Sequence, residues 1–250
     1  MMAALGVRPF QRTGSDHWGP LKVYRVRSLL ASLVIFVTPG ALAQPAIKDS
    51  LEQRLAACAT CHGKSGEGLK TKEYYPRISG KPAGYLYNQL LNFRERRRQS
   101  PAMNYIVSQL SDEYLGEIAA HYAQLPPTYP APGEKPAGDL LARGEALMLH
   151  GDPARKIPAC AACHGKALGG MEPAIPGLVG LDAEYIGAQM GAWRTKLRRA
   201  HEPDCMASIA SLLVPGDISA IAAWLASQPV ASSRALPPGS LKLPMECGGV

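Results

Sequence analysis

At 250 residues the chain has room for one large domain or two small ones. A composition of 46% hydrophobic and 19% charged residues, with 25 Gly and 22 Pro, is neither disordered nor collagen-like; only three Phe and three Trp are present, so its middle is packed by aliphatic residues or filled by something that is not protein. The formal charge of +7 sits unevenly: Arg8, Arg12, Lys22, Arg25 and Arg27 face Asp16 alone before residue 44, and the remaining 22 basic and 19 acidic residues leave about +3, too weak a field to argue for nucleic acid as a partner.

The first element is a leader. Arg25 and Arg27 precede an apolar run from Leu29 to Val37, then Pro39, Gly40 and the small-residue signal Ala41-Leu42-Ala43. This pattern predicts a secretory signal peptide over residues 1–43, cleaved after Ala43. Its apolar core is about half of the roughly 20 residues that span a bilayer, so the mature protein is expected in the periplasm, with at most peripheral membrane association. An irregular stretch before Lys22 leaves the true translation start open.

Helical spacing follows. A helix is expected over Leu51 to Cys61, and a second over Ala83 to Arg98, with Tyr85, Leu86, Leu90 and Phe93 on one face. Ser111-Asp112-Glu113 opens a third, running to Gln124. Residues 126–138 form a Pro-rich, semi-rigid spacer. The pattern then restarts: a helix over Leu140 to Leu149, a Gly151-Asp152-Pro153 turn, a helix over Ala183 to Arg199, and a closing helix from Pro215-Gly216-Asp217 to Ser227. No segment sustains strand alternation. The restart is an internal repeat at an offset of 100 to 103 residues. It pairs Pro76 with Pro176, Gly80 with Gly180, Tyr85 with Tyr185, Gln89 with Gln189, Phe93 with Trp193, Arg94 with Arg194, Met103 with Met206 and Ala119 with Ala222. The second copy has a shorter loop after His164 and an insertion before Met206.

Four of the six Cys stand in two C-x-x-C-H motifs, Cys58-Ala59-Thr60-Cys61-His62 and Cys160-Ala161-Ala162-Cys163-His164, the attachment signal of c-type haem. On a helix, residues three apart share a face and the next is adjacent; two thiols can therefore bond one haem edge while the imidazole turns under the iron. A four-cysteine zinc site also uses paired C-x-x-C but gives no reason for a His at the same offset twice. A thioredoxin-like pair explains one motif, not two.

With its leader, its two haem motifs, its Pro-rich connector and its repeated Gly, Tyr, Gln, aromatic and Arg block, the chain resembles the dihaem cytochrome c4 family over nearly all of residues 50 to 230. The resemblance implies an all-α fold of two tandem class I cytochrome c domains, 44–125 and 139–230, followed by a tail, 231–250. Carried over residue by residue, it implies two covalently attached c-type haems, with His62 and Met103 holding the first iron and His164 and Met206 the second. Thioether is a soft neutral ligand that raises the potential of a His-bound iron. Met103 has no rival in its half, whereas Met148, Met171, Met190, Met245 and the nearby His201 compete with Met206. The carbonyls of Pro76 and Pro176 are expected to orient the ligand rings. Among the repeated cations, Arg94, Arg98, Arg194 and Arg198 are candidates for pairing with haem propionates, against the alternative of a solvated face. His121 and His150 are expected to be ordinary surface or packing residues.

Cys205 and Cys247 have no counterparts in the first half; an oxidising compartment favours a disulfide between them, with free thiols or an intermolecular bridge as the alternatives. The expected function is relay of single electrons between redox protein partners, for instance to a terminal oxidase or a cytochrome complex. Two alternatives are the cytochrome subunit of a flavoprotein dehydrogenase, such as a sulfide-oxidising one, and a dihaem peroxidase. The last needs an iron with an open position, which a repeated Met ligand would fill.

Overall fold

A computed structural model describes residues 50–131, 138–230 and 234–250, all within one compact unit, Ile47–Val250. The expected leader and cleavage site lie outside the described residues. Two helical halves follow one another. The first holds α1 (Leu51–His62), α2 (Ala83–Arg94), α3 (Pro101–Ile106) and α4 (Asp112–Gln124); the second holds α5 (Gly138–Leu149), α6 (Ala161–His164), α7 (Ala183–Arg194), α8 (Cys205–Leu212) and α9 (Pro215–Ser227). Each half also carries a two-residue antiparallel hairpin, β1 (Leu69–Lys70) with β2 (Tyr74–Tyr75) and β3 (Gly170–Met171) with β4 (Ile175–Pro176). Among the described residues no single helix is long and apolar enough to cross a membrane.

Side-chain caps set the helix starts. Ser50 accepts from Gln53 N–H on α1, Ser111 from Tyr114 N–H on α4, Asp182 from Glu184 and Tyr185 N–H on α7, and Asp204 from Ala207 N–H on α8. Helix α9 begins differently. Val214 has no acceptor to offer, and Asp217 reaches back to its N–H at 3.1 Å, the return half of a capping box.

Two sequence expectations shift here. Helices α2 and α7 stop at Arg94 and Arg194, a turn before Arg98 and Arg199, because Arg96 and Lys196 take left-handed backbone, φ 57° and 62°. The freed residues run antiparallel to each other across the two halves: Gln99 N–H donates to Leu197 O at 2.8 Å and Arg199 N–H to Arg97 O at 2.7 Å. Met103 and Met206 lie on the short helices α3 and α8.

The halves differ in packing. In the second, one continuous core joins α5, α7, α8 and α9 through Leu147, Met148, Ile186, Met190, Ile209, Ile221, Trp224 and Leu225. Gly144 permits the α5–α9 contact: a Cβ there would stand 2.3 Å from Ala220 O. The first half has two smaller clusters, Leu86 with Ile118, Ala119 and Tyr122, and Phe93 with Val107 and Leu115. The start of the spacer touches both copies. Pro127 packs on Gly80 and Tyr129 on the repeat-related Gly180, each glycine having positive φ.

Candidate functional site

Both motifs end a helix with a buried imidazole. His62 closes α1 and His164 closes α6, each followed by a glycine of positive φ, Gly63 and Gly165, that turns the chain away. The Nδ1–H groups donate to Pro76 O and Pro176 O, each at 2.8 Å. A carbonyl can only accept, so Nδ1 carries the proton and Nε2 keeps the lone pair that a metal needs. Burial lowers the pKa of both rings; the carbonyls partly oppose it, and the charges of Arg98 on His62 and Lys81 on His164 add to the lowering. The neutral, ligating form is thereby favoured.

The cysteines sit beside these rings. Burial raises Cys58 and Cys163, and pushes Cys160 up to about 11. As thiols, Cys58, Cys160 and Cys163 are held in their un-ionised form by burial, the wrong setting for a thioredoxin-like nucleophile. Among the described residues no three His, Cys, Asp or Glu side chains gather around one point.

In the second half a cavity is bounded by Cys160, Cys163, His164 and Met206 and walled by Leu147, Ile157, Ile175, Ile209 and Leu225, with Lys81 and Arg198 also on its lining. An apolar slot with cations among its walls suits a flat apolar macrocycle that carries carboxylates on one edge. Trp193 lines the same cavity with its Nε1–H buried and unpartnered, a donor waiting for an acceptor. Met148, Met190 and Met245 line it too, as does His201. The Nε2 of His201, however, accepts from Arg97 Nη2 at 2.8 Å, which occupies its lone pair. In the first half Met103 packs against the Phe93–Val107–Leu115 cluster and Cys58 against the Leu86–Tyr122 cluster. Arg77 Nε and Ser79 Oγ, just beyond Pro76, are likewise buried without partners. The residues present fit two haems.

The four candidate arginines divide. Arg98 and Arg198 meet at the seam between the halves. Arg98 donates to Gln89 at 2.9 Å, to Gln189 at 2.7 Å and to Tyr185 OH at 3.0 Å; Arg198 mirrors it on Gln189 at 2.8 Å, Gln89 at 3.1 Å and Tyr85 OH at 3.4 Å. Burial alone would raise the Tyr185 phenol, but Arg98 and Arg198 outweigh it and hold its pKa below the ordinary value. Arg94 does not join them. It bonds Leu110 O at 2.8 Å and Asp112 at 2.5 Å, tying α2 to the start of α4, while Arg194 is exposed. Two cations that the sequence reading passed over are buried as well, Arg77 and Lys81, 4% and 7% exposed, and Lys81 reaches across the seam to Gly177 O. None of Arg77, Lys81, Arg98 and Arg198 pairs with a carboxylate among the described residues. Such a cluster calls for anions from outside the polypeptide. A signal was available: in the repeat register Lys81 faces Leu181 and Arg77 faces Gly177, unmatched cations in a matched block.

Cys205 and Cys247 form a disulfide, Cα to Cα 5.2 Å. It brings the C-terminal segment to the cavity, where Met245 and Gly248 are part of the lining. Gly248 N–H donates to Pro203 O at 2.8 Å, and Asn88 of the first half donates to Gly249 O at 2.7 Å. His121 stacks edge-on against Tyr122, and His150 is exposed.

No protein-family model matches the chain. It is 36% identical over 200 residues to a thiosulfate dehydrogenase electron acceptor of Thiomonas intermedia, covering 79% of this chain and 91% of that one. It is 30% identical over 203 residues to a cytochrome c4 of Pseudomonas aeruginosa, covering 80% and 98%. Among solved structures, reduced recombinant cytochrome c4 from Pseudomonas stutzeri superposes with a TM-score of 0.61 at 25% identity, over 71% of this chain and 96% of that one.

Proposed function

The chain belongs to the family of dihaem electron-transfer cytochromes that includes cytochrome c4, and from that premise we propose that it accepts single electrons from a thiosulfate-oxidising dehydrogenase in the periplasm and passes them to a further redox protein. It carries two c-type haems and serves as an electron carrier rather than an enzyme. The observation that carries the finer reading is the match, along most of both chains, to a protein named as the electron acceptor of thiosulfate dehydrogenase.

The proposed roles follow from the side chains. Cys58 and Cys61 would hold the first haem, and Cys160 and Cys163 the second, as thioethers. His62 and Met103, and His164 and Met206, would fill the axial positions. Pro76 and Pro176 O lock the two rings in the tautomer that ligates. When bound, each haem supplies a reversible one-electron couple between ferric and ferrous iron. If His and Met hold each iron in this way, no position would remain for oxygen or peroxide, which favours charge transfer over peroxidase chemistry. Arg98, Arg198, Arg77 and Lys81, buried without a carboxylate partner among the described residues, would be available to neutralise the haem carboxylates.

The test is direct. Oxidised protein mixed with thiosulfate and a catalytic amount of thiosulfate dehydrogenase should gain its ferrous absorbance with two electrons per chain. A flavoprotein sulfide dehydrogenase supplied with sulfide should reduce it more slowly. Reduction by the flavoprotein alone would move the chain to the sulfide-oxidising reading. Amino-terminal sequencing of periplasmic protein should begin at Gln44.

A further inference from the structure

The segment from Pro76 to Lys81 touches both sites. Its first residue accepts the His62 Nδ1–H. Its last, Lys81, crosses the seam and donates from Nζ to Gly177 O at 3.1 Å. Gly177 follows Pro176, whose carbonyl accepts the His164 Nδ1–H. The backbone from Pro76 to Lys81, the Lys81 side chain and the Pro176–Gly177 backbone thus connect the two imidazoles through three hydrogen bonds. Lys81 also lines the second cavity, and its charge acts on His164. The link is not reciprocal, because the repeat-related position in the second half is Leu181.

We propose that Lys81, although it belongs to the first half, is the positioning residue that sets the potential of the second haem. The proposal rests on the reading of both motifs as haem sites. A buried ammonium close to an iron opposes the extra positive charge of the ferric state, so it raises the potential of that iron. Its hydrogen bond to Gly177 holds the loop that orients His164. Burial, with Arg77, Arg198 and Arg98 nearby, pushes the Lys81 ammonium well below its ordinary range; a carboxylate of the second haem beside Nζ would be the anion that holds its charge. No carboxylate of the described protein takes that place.

Three substitutions in the full, haem-loaded chain separate charge from hydrogen bond: Lys81→Arg keeps both, Lys81→Gln keeps a donor without charge, and Lys81→Met removes both. Each protein is titrated with dithionite and ferricyanide while its spectrum is recorded. The second couple is identified as the one displaced by Met206→His. Lys81→Gln and Lys81→Met should each lower the second couple by at least a tenfold change in its equilibrium constant, which is 59 mV for one electron, with the first couple moving much less; Lys81→Arg should restore most of the shift. An unmoved second couple in Lys81→Gln, or equal shifts of both couples, overturns the role of Lys81. Wild-type protein with fewer than two covalent haems overturns the underlying reading instead.

Discussion

The two halves descend from one pattern and are held together by different means. Helix α1 leans on α4 through Arg54, which lies over the Tyr114 ring and pairs with Glu117. In contrast, its counterpart α5 is pressed against α9 at Gly144, backbone to backbone, over a continuous core. The second half adds a disulfide, a C-terminal segment across its cavity, and an ionic knot in which Asp217 binds both Arg143 and Arg155. What both halves keep is short and local: a C-x-x-C-H turn, a proline carbonyl on the imidazole, and a Tyr, Gln and Arg facing the seam. The features around the imidazoles are thus shared by the two halves, while the packing behind them differs.

The strongest way to break the pair is to remove one site. Cys160→Ser with Cys163→Ser should reduce covalent haem from two per chain to one in a pyridine haemochrome assay; two remaining covalent haems would refute the assignment. Next in size is the disulfide. Its loss in Cys247→Ser frees a closure between residues 42 apart, worth about 4 kcal/mol in the chain-entropy estimate. Denaturant unfolding should show that loss at the second haem, with little change at the first. Gly144→Ala should then cost about 2 kcal/mol, because the added methyl forces α5 off α9.

Asp217 gives a pH-dependent difference. Burial pushes its carboxyl up, but Arg155, the Val214 N–H and Arg143 outweigh this and hold it below 3.8. A carboxyl whose folded pKa is depressed adds stability above its unfolded pKa, and that contribution fades as pH falls through the folded value. Asp217→Asn should destabilise the protein by about 1 to 2 kcal/mol at pH 7, since the arginines are partly exposed, and by progressively less below pH 3.8. The smallest effect has the opposite sign. Gly116 lies in α4 with nothing within 4 Å of an added Cβ, so Gly116→Ala should stabilise the first half by about 0.5 to 1 kcal/mol, read as a rise in its thermal midpoint.

Much of this was legible in the sequence because the chemistry is local. The C-x-x-C-H spacing names its own cofactor, and the repeat register set Pro76 opposite Pro176 and Met103 opposite Met206. The closing helices run to Gln124 and Ser227, where the caps and periodicity placed their ends. The helix ends after Arg94 and Arg194 were not legible, since Arg96 and Lys196 carry no side-chain signal for left-handed backbone. Nor was the purpose of the repeated Tyr85, Gln89 and Arg98 and their partners. A repeat reveals that two segments are alike, whereas their meeting across a seam is a tertiary fact. Lys81 escaped for a related reason: matching positions draw attention, and its meaning lies in not matching Leu181.

The central claim is that two closed, Met-ligated haems in unequal surroundings relay single electrons. A redox titration of the wild-type protein, repeated under carbon monoxide, tests it most directly. Two separate one-electron steps at positive potentials are expected, unchanged by carbon monoxide, with the far-red band of Met-bound ferric haem accounting for both. A step that shifts under carbon monoxide, or a band accounting for only one haem, would mean an open iron and contradict the relay.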